Sequence, residues 1–289
     1  MGQTKKLTIH TQRFNKRDDG PNLFVRRLFN KLKELKLVEL TDREADVVFL
    51  YTKNEEAYRQ AHPGVPVAVR CGGVWHNEAW RPPMEQRYVA AKAAIFQSEF
   101  CRRDYYRYFG QRNILSPTII NGSDFKFCPL EGRPKEVVCN AAWRESKRPW
   151  LVSKVARAMP DVKFNVIGDF KTEHSNNVNV IGPINYLKVE EALKSGRVFF
   201  HTGLGDPCPN CLVEACVSGM VPVAPFSGGA PEIVNGHGFL YDEKPSIDDI
   251  VRKIKRALAV ETTLPRFDLS LDKVALDYYR VFSRLSAAT

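Results

Sequence analysis

Two acidic residues with the potential to bind a ligand, Asp206 and Glu214, lie eight positions apart in the second half of this 289-residue chain. The hydrophobic run Val198–His201 before them predicts a buried strand, and the small-residue loop that follows it carries Asp206. Glu214 falls inside an apolar helical segment that Gly219 ends. A buried carboxylate is costly without a hydrogen-bonded partner, and the hydroxyl groups of a ribose would supply one.

A glycine pair, Gly228 and Gly229, follows the next hydrophobic strand and leads through Ala230 into a helix with Pro231 near its first turn. Glu232 comes directly after this proline. The first backbone N–H groups of a helix have no partner within the helix and therefore favour anions. This segment is thus predicted to bind an anionic ligand.

The whole block resembles the signature of the retaining family-4 glycosyltransferases, in which two acids eight positions apart precede a Gly-x-Pro strand and a Gly-Gly-x-x-Glu turn. The later elements are Gly219-Met-Val-Pro222, one residue longer than usual, and Gly228-Gly-Ala-Pro-Glu232. The resemblance implies that Glu214 holds the ribose of a nucleotide sugar and that Asp206 holds sugar hydroxyls, with the amides of Gly228–Ala230 assisting. The first acid of the family is normally glutamate, and helix capping is an alternative role for Asp206.

The resemblance extends to the end of the first strand of this half, Val137–Ala141. Family members place an arginine and a lysine there that clamp the diphosphate, and this chain has Arg144 and Lys147, with Arg148 as a substitute. Arginine offers a fork of donors and lysine a compact charge, and both stabilise charge developing on the leaving nucleotide. A solvated basic turn is the alternative interpretation.

Weaker matches add three candidate residues. Gly20 precedes the first long helix, where the family places a glycine-rich loop against phosphate and acceptor. His76 lies in a glycine loop after the strand Val65–Arg70, and related enzymes place a histidine there near the reacting sugar; a structural loop histidine is the alternative. Segment Val178–Ile184 resembles the loop that lines the base pocket, which makes Ile184 a candidate base contact.

Short β-branched runs alternate with amphipathic helical stretches along nearly the whole chain, which predicts parallel sheets with right-handed crossovers. The expected domains are an N-terminal acceptor-side domain, residues 1–130, and a C-terminal nucleotide-sugar-binding domain, residues 131–289. Both are expected to be doubly wound, Rossmann-like α/β domains facing a cleft, the GT-B arrangement. The last helix, about Leu271–Leu285, could pack in either domain. Expected strands of the first half include Ala94–Gln97 and Thr118–Ile120.

Positive charge is concentrated in the first half of the chain. Residues 1–130 contain 22 of the 43 lysines and arginines but only 14 of the 33 acids. Such a one-sided field attracts polyanions, although a solubilising surface explains it equally well. Two acceptors are therefore considered. A glycan or lipid-linked glycan is the commonest acceptor in the family, and hydroxylated bases of DNA, which would have to be flipped out of the duplex, are the alternative. A peripheral membrane contact fits the same charge.

The resemblance implies transfer with retention at the anomeric carbon. No Asp-x-Asp metal motif occurs, so the reaction is expected to be metal-independent. The co-substrate is a nucleoside diphosphate sugar, with a UDP-sugar favoured and no bound cofactor. A non-catalytic nucleotide-sugar sensor is a further alternative. The seven cysteines are scattered along the chain, which is typical of a protein with reduced thiols. Cys208 and Cys211 are expected to form part of a turn, and a redox pair or half of a zinc site is the alternative. No transmembrane run or signal peptide is evident, so a cytoplasmic location is expected.

Overall fold

A computed structural model of the protein describes residues 6–11, 20–51, 62–73 and 81–288. The chain divides into two compact units, Met1–Gly122 with Ser270–Thr289, and Ser123–Leu269. This division differs from the expected boundary after residue 130. Residues 123–130 belong to the second unit, and the C-terminal helix belongs to the first.

The first unit contains a parallel five-stranded sheet in the order β2-β1-β3-β4-β5 within its described residues. Helices cover both of its faces, as expected for a doubly wound domain. The expected strand at Thr118–Ile120 is absent from the sheet, since Thr118 makes only an isolated bridge to Phe96. The elements are β1 Leu7–Thr11, α1 Gly20–Glu34, β2 Val38–Leu40, β3 Val47–Leu50, β4 Val67–Cys71, α2 Arg81–Ala90, β5 Ala93–Phe96, α3 Glu99–Phe109 and α9 Leu271–Ser286.

Helix α9 joins the first unit because its aromatic residues fill the core of that unit. The ring of Phe49 on β3 lies 5.6 Å from that of Phe282 and 6.0 Å from that of Tyr278, measured between ring centroids. Phe29 of α1 packs against the same Phe49 ring at 5.4 Å. Burial of these large rings, rather than proximity in sequence, determines where the helix packs.

The second unit contains a parallel six-stranded sheet in the order β11-β10-β9-β6-β7-β8. The chain builds β6, β7 and β8 towards one side and then β9, β10 and β11 towards the other. The order therefore reverses between β6 and β9, and ligands of open α/β sheets bind outside the strand ends at such a switch point. The elements are β6 Val137–Asn140, α4 Pro149–Arg157, β7 Phe164–Ile167, β8 Val178–Gly182, α5 Tyr186–Leu193, β9 Val198–Phe200, α6 Asn210–Val217, β10 Val221–Pro225, α7 Ala230–Val234, β11 Phe239–Tyr241 and α8 Ile247–Leu258.

Two parallel α/β units confirm the expected fold class. No helix in the described part of the chain is long and apolar enough to cross a membrane.

Candidate active site

Two loops meet at the switch point of the second unit. The loop after β6 forms a short 3₁₀ turn, Glu145–Lys147, before α4 begins. The loop after β9 carries Asp206 towards α6. Lys147 Nζ donates a hydrogen bond of 2.6 Å to Asp206 Oδ2, so these two residues join the carboxyl ends of neighbouring strands.

The Asp206 carboxylate is held in its charged form. Burial alone would raise the pKa of Asp206, but the charge and hydrogen bond of Lys147 lower it below its ordinary value. The second carboxylate oxygen, Oδ1, accepts a hydrogen bond of 3.1 Å from the Cys208 amide. Asp206 does not cap α6, whose N-cap residue is Pro209. Its carboxylate is therefore fixed beside a lysine, and the helix-capping interpretation is wrong.

Arg148, the expected substitute in the clamp, binds the protein itself. Its backbone is left-handed, with φ 48° and ψ 55°. Its buried guanidinium donates hydrogen bonds to the Thr202 carbonyl at 2.6 Å, to the Glu243 carbonyl at 2.8 Å and to the Tyr241 hydroxyl at 3.3 Å. Arg148 thus ties the β6 and β9 loops together and to the end of β11, which positions its neighbour Lys147.

Arg144, by contrast, is exposed on the same turn, and its Nε donates to Ser146 Oγ at 3.1 Å. Of the three cations, Lys147 approaches the acid and Arg144 extends towards solvent. These are the two residues to which the family resemblance assigns the clamp.

The glycine pair supports the Asp206 loop. Gly228 has φ 61°, and a Cβ atom there would lie 2.2 Å from the Asp206 carbonyl oxygen. The Gly229 amide donates to that same oxygen at 2.9 Å, and the Ala230 amide donates to the Ser227 carbonyl at 3.3 Å. Two of the three amides expected to assist in anion binding therefore make hydrogen bonds within the unit.

The remaining candidates of the second unit occupy the elements around this loop. Glu214 is 5% exposed in the second turn of α6, as the apolar surroundings in its sequence predict. Glu232 is half-buried in the first turn of α7, and Ile184 is half-buried between β8 and α5. The segment compared with a base-pocket loop is in fact mostly strand, since β8 extends to Gly182.

Two candidates come from the first unit. Gly20 is the exposed first residue of α1, at the carboxyl edge of that unit's sheet. His76, assigned to the reacting sugar, lies outside the described residues. The assignment of both to the reaction stays a prediction.

His201, which follows β9 directly, is predicted from the sequence only as the end of a strand. Its amide donates to the Val223 carbonyl at 2.9 Å, and its carbonyl accepts a hydrogen bond of 2.7 Å from the Tyr241 hydroxyl. Burial, with the charges of Lys147 and Arg148, lowers the pKa of the imidazole to about 3. A histidine between a buried strand and a glycine-rich loop is the signal that the sequence offers for it.

Cys208 precedes α6, and Cys211 lies in the first turn of that helix. Burial raises the pKa of the Cys211 thiol to about 12, so it is not a reactive thiolate at neutral pH. Over the described ranges, no group of three or more histidine, cysteine or acidic side chains is arranged to hold a metal ion.

Comparison with known proteins finds a family match within the second unit. Residues 126–268 match the family described as "Glycosyl transferases group 1". Over 125 residues the chain is 27% identical to one component of the phosphatidylinositol N-acetylglucosaminyltransferase of Arabidopsis thaliana, a match that covers 39% of this chain and 28% of that protein. It is 26% identical over 121 residues to the GPI3 component of the same enzyme from Saccharomyces cerevisiae (strain ATCC 204508 / S288c), covering 38% of this chain and 27% of that protein. The matched segment thus spans little more than a quarter of these relatives.

Solved structures share the fold along nearly the whole chain. Sucrose-phosphate synthase from Thermosynechococcus elongatus has a TM-score of 0.71 at 13% identity, covering 99% of this chain and 100% of that one. Anabaena HepE, solved in complex with UDP and glucose, has a TM-score of 0.64 at 16% identity, covering 97% of each chain. Residues 126–268 thus match the glycosyl transferases group 1 family, and the chain as a whole shares the two-unit, GT-B-like α/β fold of these solved structures.

Proposed function

We propose that this protein transfers a sugar from a nucleoside diphosphate sugar to a hydroxyl group of an acceptor, and that the second unit holds the donor. The observation that carries the proposal is the Lys147–Asp206 pair, which joins the β6 and β9 loops at the topological switch point. A cation suits the diphosphate and a fixed carboxylate suits sugar hydroxyls. Glu214, on the helix that follows the Asp206 loop, supplies a buried acid for the ribose.

The chemistry requires charge stabilisation at the leaving group. As the bond between the anomeric carbon and the phosphate oxygen breaks, negative charge grows on the diphosphate, and Lys147 and the exposed Arg144 stabilise it. The acceptor oxygen bonds to the anomeric carbon on the same face, and its proton passes to the departing phosphate oxygen. Asp206, already paired with Lys147, orients the sugar rather than attacking it. Retention is tested by the anomeric configuration of the product, and metal independence by an unchanged rate in EDTA.

The favoured donor is a UDP-sugar and the favoured acceptor a glycan or lipid-linked glycan. HepE, which shares the fold, was solved with UDP and glucose. The curated relatives are named for an N-acetylglucosaminyltransferase that acts on phosphatidylinositol, which is a lipid. The excess positive charge of residues 1–130 is consistent with an acceptor on an anionic surface.

The test is donor binding followed by transfer. Calorimetric titration with UDP-, GDP- and ADP-sugars identifies the base, and release of sugar in the absence of acceptor distinguishes an enzyme from a non-catalytic sensor. Glu214→Ala is expected to weaken binding of the nucleotide about 100-fold, because two hydrogen bonds to a charged group are lost. Glu214→Gln keeps the volume and one acceptor oxygen, so it serves as the matched control. Unchanged affinity in Glu214→Ala would refute the ribose assignment.

A second candidate acceptor, hydroxylated bases in DNA, is favoured by the exposed Arg103 and Arg107 on α3. Of the two tyrosines between them, Tyr105 does not add a stacking surface. Tyr105 is buried, with its ring 5.4 Å from Tyr88 and 5.3 Å from Phe109 between centroids. Duplex binding that weakens steeply with salt would support DNA, and absence of binding at low salt would exclude it.

A further inference from the structure

His201 contributes a buried imidazole to the donor site that the proposed reaction leaves without a role. The side chain is 3% exposed at the carboxyl end of β9. Its main chain is held on both sides, by the Val223 carbonyl and by the Tyr241 hydroxyl, which fixes the backbone from which the ring projects.

One nitrogen of the ring lacks a protein partner. Nδ1 lies 3.9 Å from Cys211 Sγ, whereas Nε2 has no hydrogen-bond partner among the residues that the structure describes. A buried polar atom without a partner destabilises the fold, and such atoms in native proteins often await a ligand.

Gly203 lies beside this buried nitrogen. A Cβ atom at residue 203 would lie 3.3 Å from His201 Nε2 and 3.0 Å from Lys147 Cδ. A side chain there would crowd both the lysine and the imidazole. Because the residue is glycine, no side chain of residue 203 separates the imidazole from Lys147, which is paired with Asp206.

We propose that His201 is a donor-binding residue whose Nε2–H donates a hydrogen bond to an oxygen of the donor's diphosphate, reached past Gly203 beside Lys147. This inference rests on the proposed function, since it assumes that a nucleoside diphosphate sugar occupies the site. A neutral N–H next to an ammonium group binds an anionic oxygen without adding a second charge.

The proposal requires a neutral ring that carries its proton on Nε2. Burial, followed by the charges of Lys147 and Arg148, keeps the pKa of His201 at about 3, so the ring is neutral at physiological pH. The Cys211 thiol keeps its proton, because burial raises the pKa of this thiol to about 12. With the thiol as donor to Nδ1, the single ring proton lies on Nε2, which is the tautomer that the proposal requires.

Three variants separate the hydrogen bond from the shape of the residue. His201→Phe keeps a ring but removes the donor, and the dissociation constant of the nucleoside diphosphate is expected to rise about 10- to 100-fold. His201→Gln places an amide N–H near the position of Nε2 and is expected to stay within about 3-fold of the wild type. Gly203→Ala keeps the histidine but obstructs its approach, and is expected to weaken binding about 10-fold. Calorimetry with UDP, GDP and ADP, and with the corresponding sugar nucleotides, measures all three.

Nitrogen-15 NMR of the His201 ring supplies a readout that needs no variant. The free protein should show the neutral Nε2–H tautomer, and the nucleoside diphosphate should shift the Nε2 proton downfield. Equal affinity of the wild type and His201→Phe, or an unchanged Nε2 resonance at saturation, would overturn the assignment of His201 alone. If His201→Phe lost affinity for the sugar nucleotides but not for UDP, GDP or ADP, the proposed contact with the diphosphate would be wrong. Failure of the wild type to bind any of these nucleotides would instead refute the proposed function, and this inference with it.

Discussion

Each unit places a cation near the carboxyl edge of its sheet, and the two cations are held differently. In the first unit, Arg70 of β4 is 4% exposed, donates to Asn121 Oδ1 at 2.9 Å and lies 4.8 Å above the centroid of the Phe24 ring. In the second unit, Lys147 is paired with a carboxylate, Asp206. The contacts of Arg70 are with a neutral amide and a ring face.

The difference shows how a structural cation can be distinguished from one that suits catalysis. Among the described residues, Arg70 contacts an amide and an aromatic ring but has no acidic partner that a ligand could share. The lysine–carboxylate pair offers both signs of charge at one place, which suits a ligand with a diphosphate and a hydroxylated sugar. The same contrast is found between two adjacent residues of the second unit. Lys147 binds a carboxylate, whereas Arg148 binds neutral carbonyl groups.

The largest effect is expected from replacing Lys147. Lys147→Met should lower turnover about 100- to 1,000-fold, because charge stabilisation at the leaving group is lost. Its free energy of unfolding should fall by only about 1 kcal/mol, the contribution of the ion pair. Arg148→Met should lower the free energy of unfolding more, because three hydrogen bonds to the guanidinium disappear. Steady-state kinetics and thermal unfolding of both variants check this. If the two variants lost the same turnover and had the same stability, the assignment of Lys147 to the ligand and of Arg148 to the fold would be wrong.

A backbone clash tests whether the glycine pair holds the Asp206 loop. Gly228→Ala is expected to destabilise the protein by about 2–4 kcal/mol, because its φ is positive and its Cβ would overlap the Asp206 carbonyl. Gly236→Ala is the matched control, since Gly236 also has a positive φ, 78°, but nothing lies within 4 Å of the added atom. It should cost about 1–2 kcal/mol. Chemical denaturation measures both, and equal losses would show that only backbone conformation matters at Gly228.

The sequence predicted Asp206 and Lys147 because their motifs resemble those of the retaining family-4 glycosyltransferases. Each residue also follows a hydrophobic strand of a parallel sheet, where loops converge. It could not predict the role of Arg148, whose partners Thr202, Tyr241 and Glu243 come from distant loops and require a left-handed backbone at residue 148. Partnering of this kind depends on tertiary packing rather than on local composition.

The position of α9 and the importance of His201 escaped prediction for related reasons. An amphipathic pattern shows that a helix covers a sheet but not which sheet it covers. A histidine next to a hydrophobic strand looks like the end of that strand until its unpartnered nitrogen and the gap at Gly203 are visible.

The pH dependence of stability gives a smaller effect. The pKa of Asp206 is lowered in the folded protein, so the pair stabilises the fold above the ordinary aspartate pKa of about 3.9. This contribution, about 1 kcal/mol for a partly buried pair, is lost as the pH falls below that value and through the folded pKa. The unfolding temperatures of the wild type and Lys147→Met, measured from about pH 7 to about pH 3, should converge at the acidic end of this range. A difference between them that is independent of pH would show that the pair does not titrate.

The smallest effect is expected at Arg70, and it tests the other side of the comparison. Arg70→Met keeps much of the apolar stem but loses the hydrogen bond to Asn121 and the contact with the Phe24 ring, so stability should fall by about 1 kcal/mol. Donor affinity should stay within about 2-fold of the wild type, since this cation belongs to the first unit and the donor is assigned to the second. Denaturation and nucleotide titration on the same variant measure both. A large loss of donor affinity with unchanged stability would mean that Arg70, like Lys147, acts on the ligand.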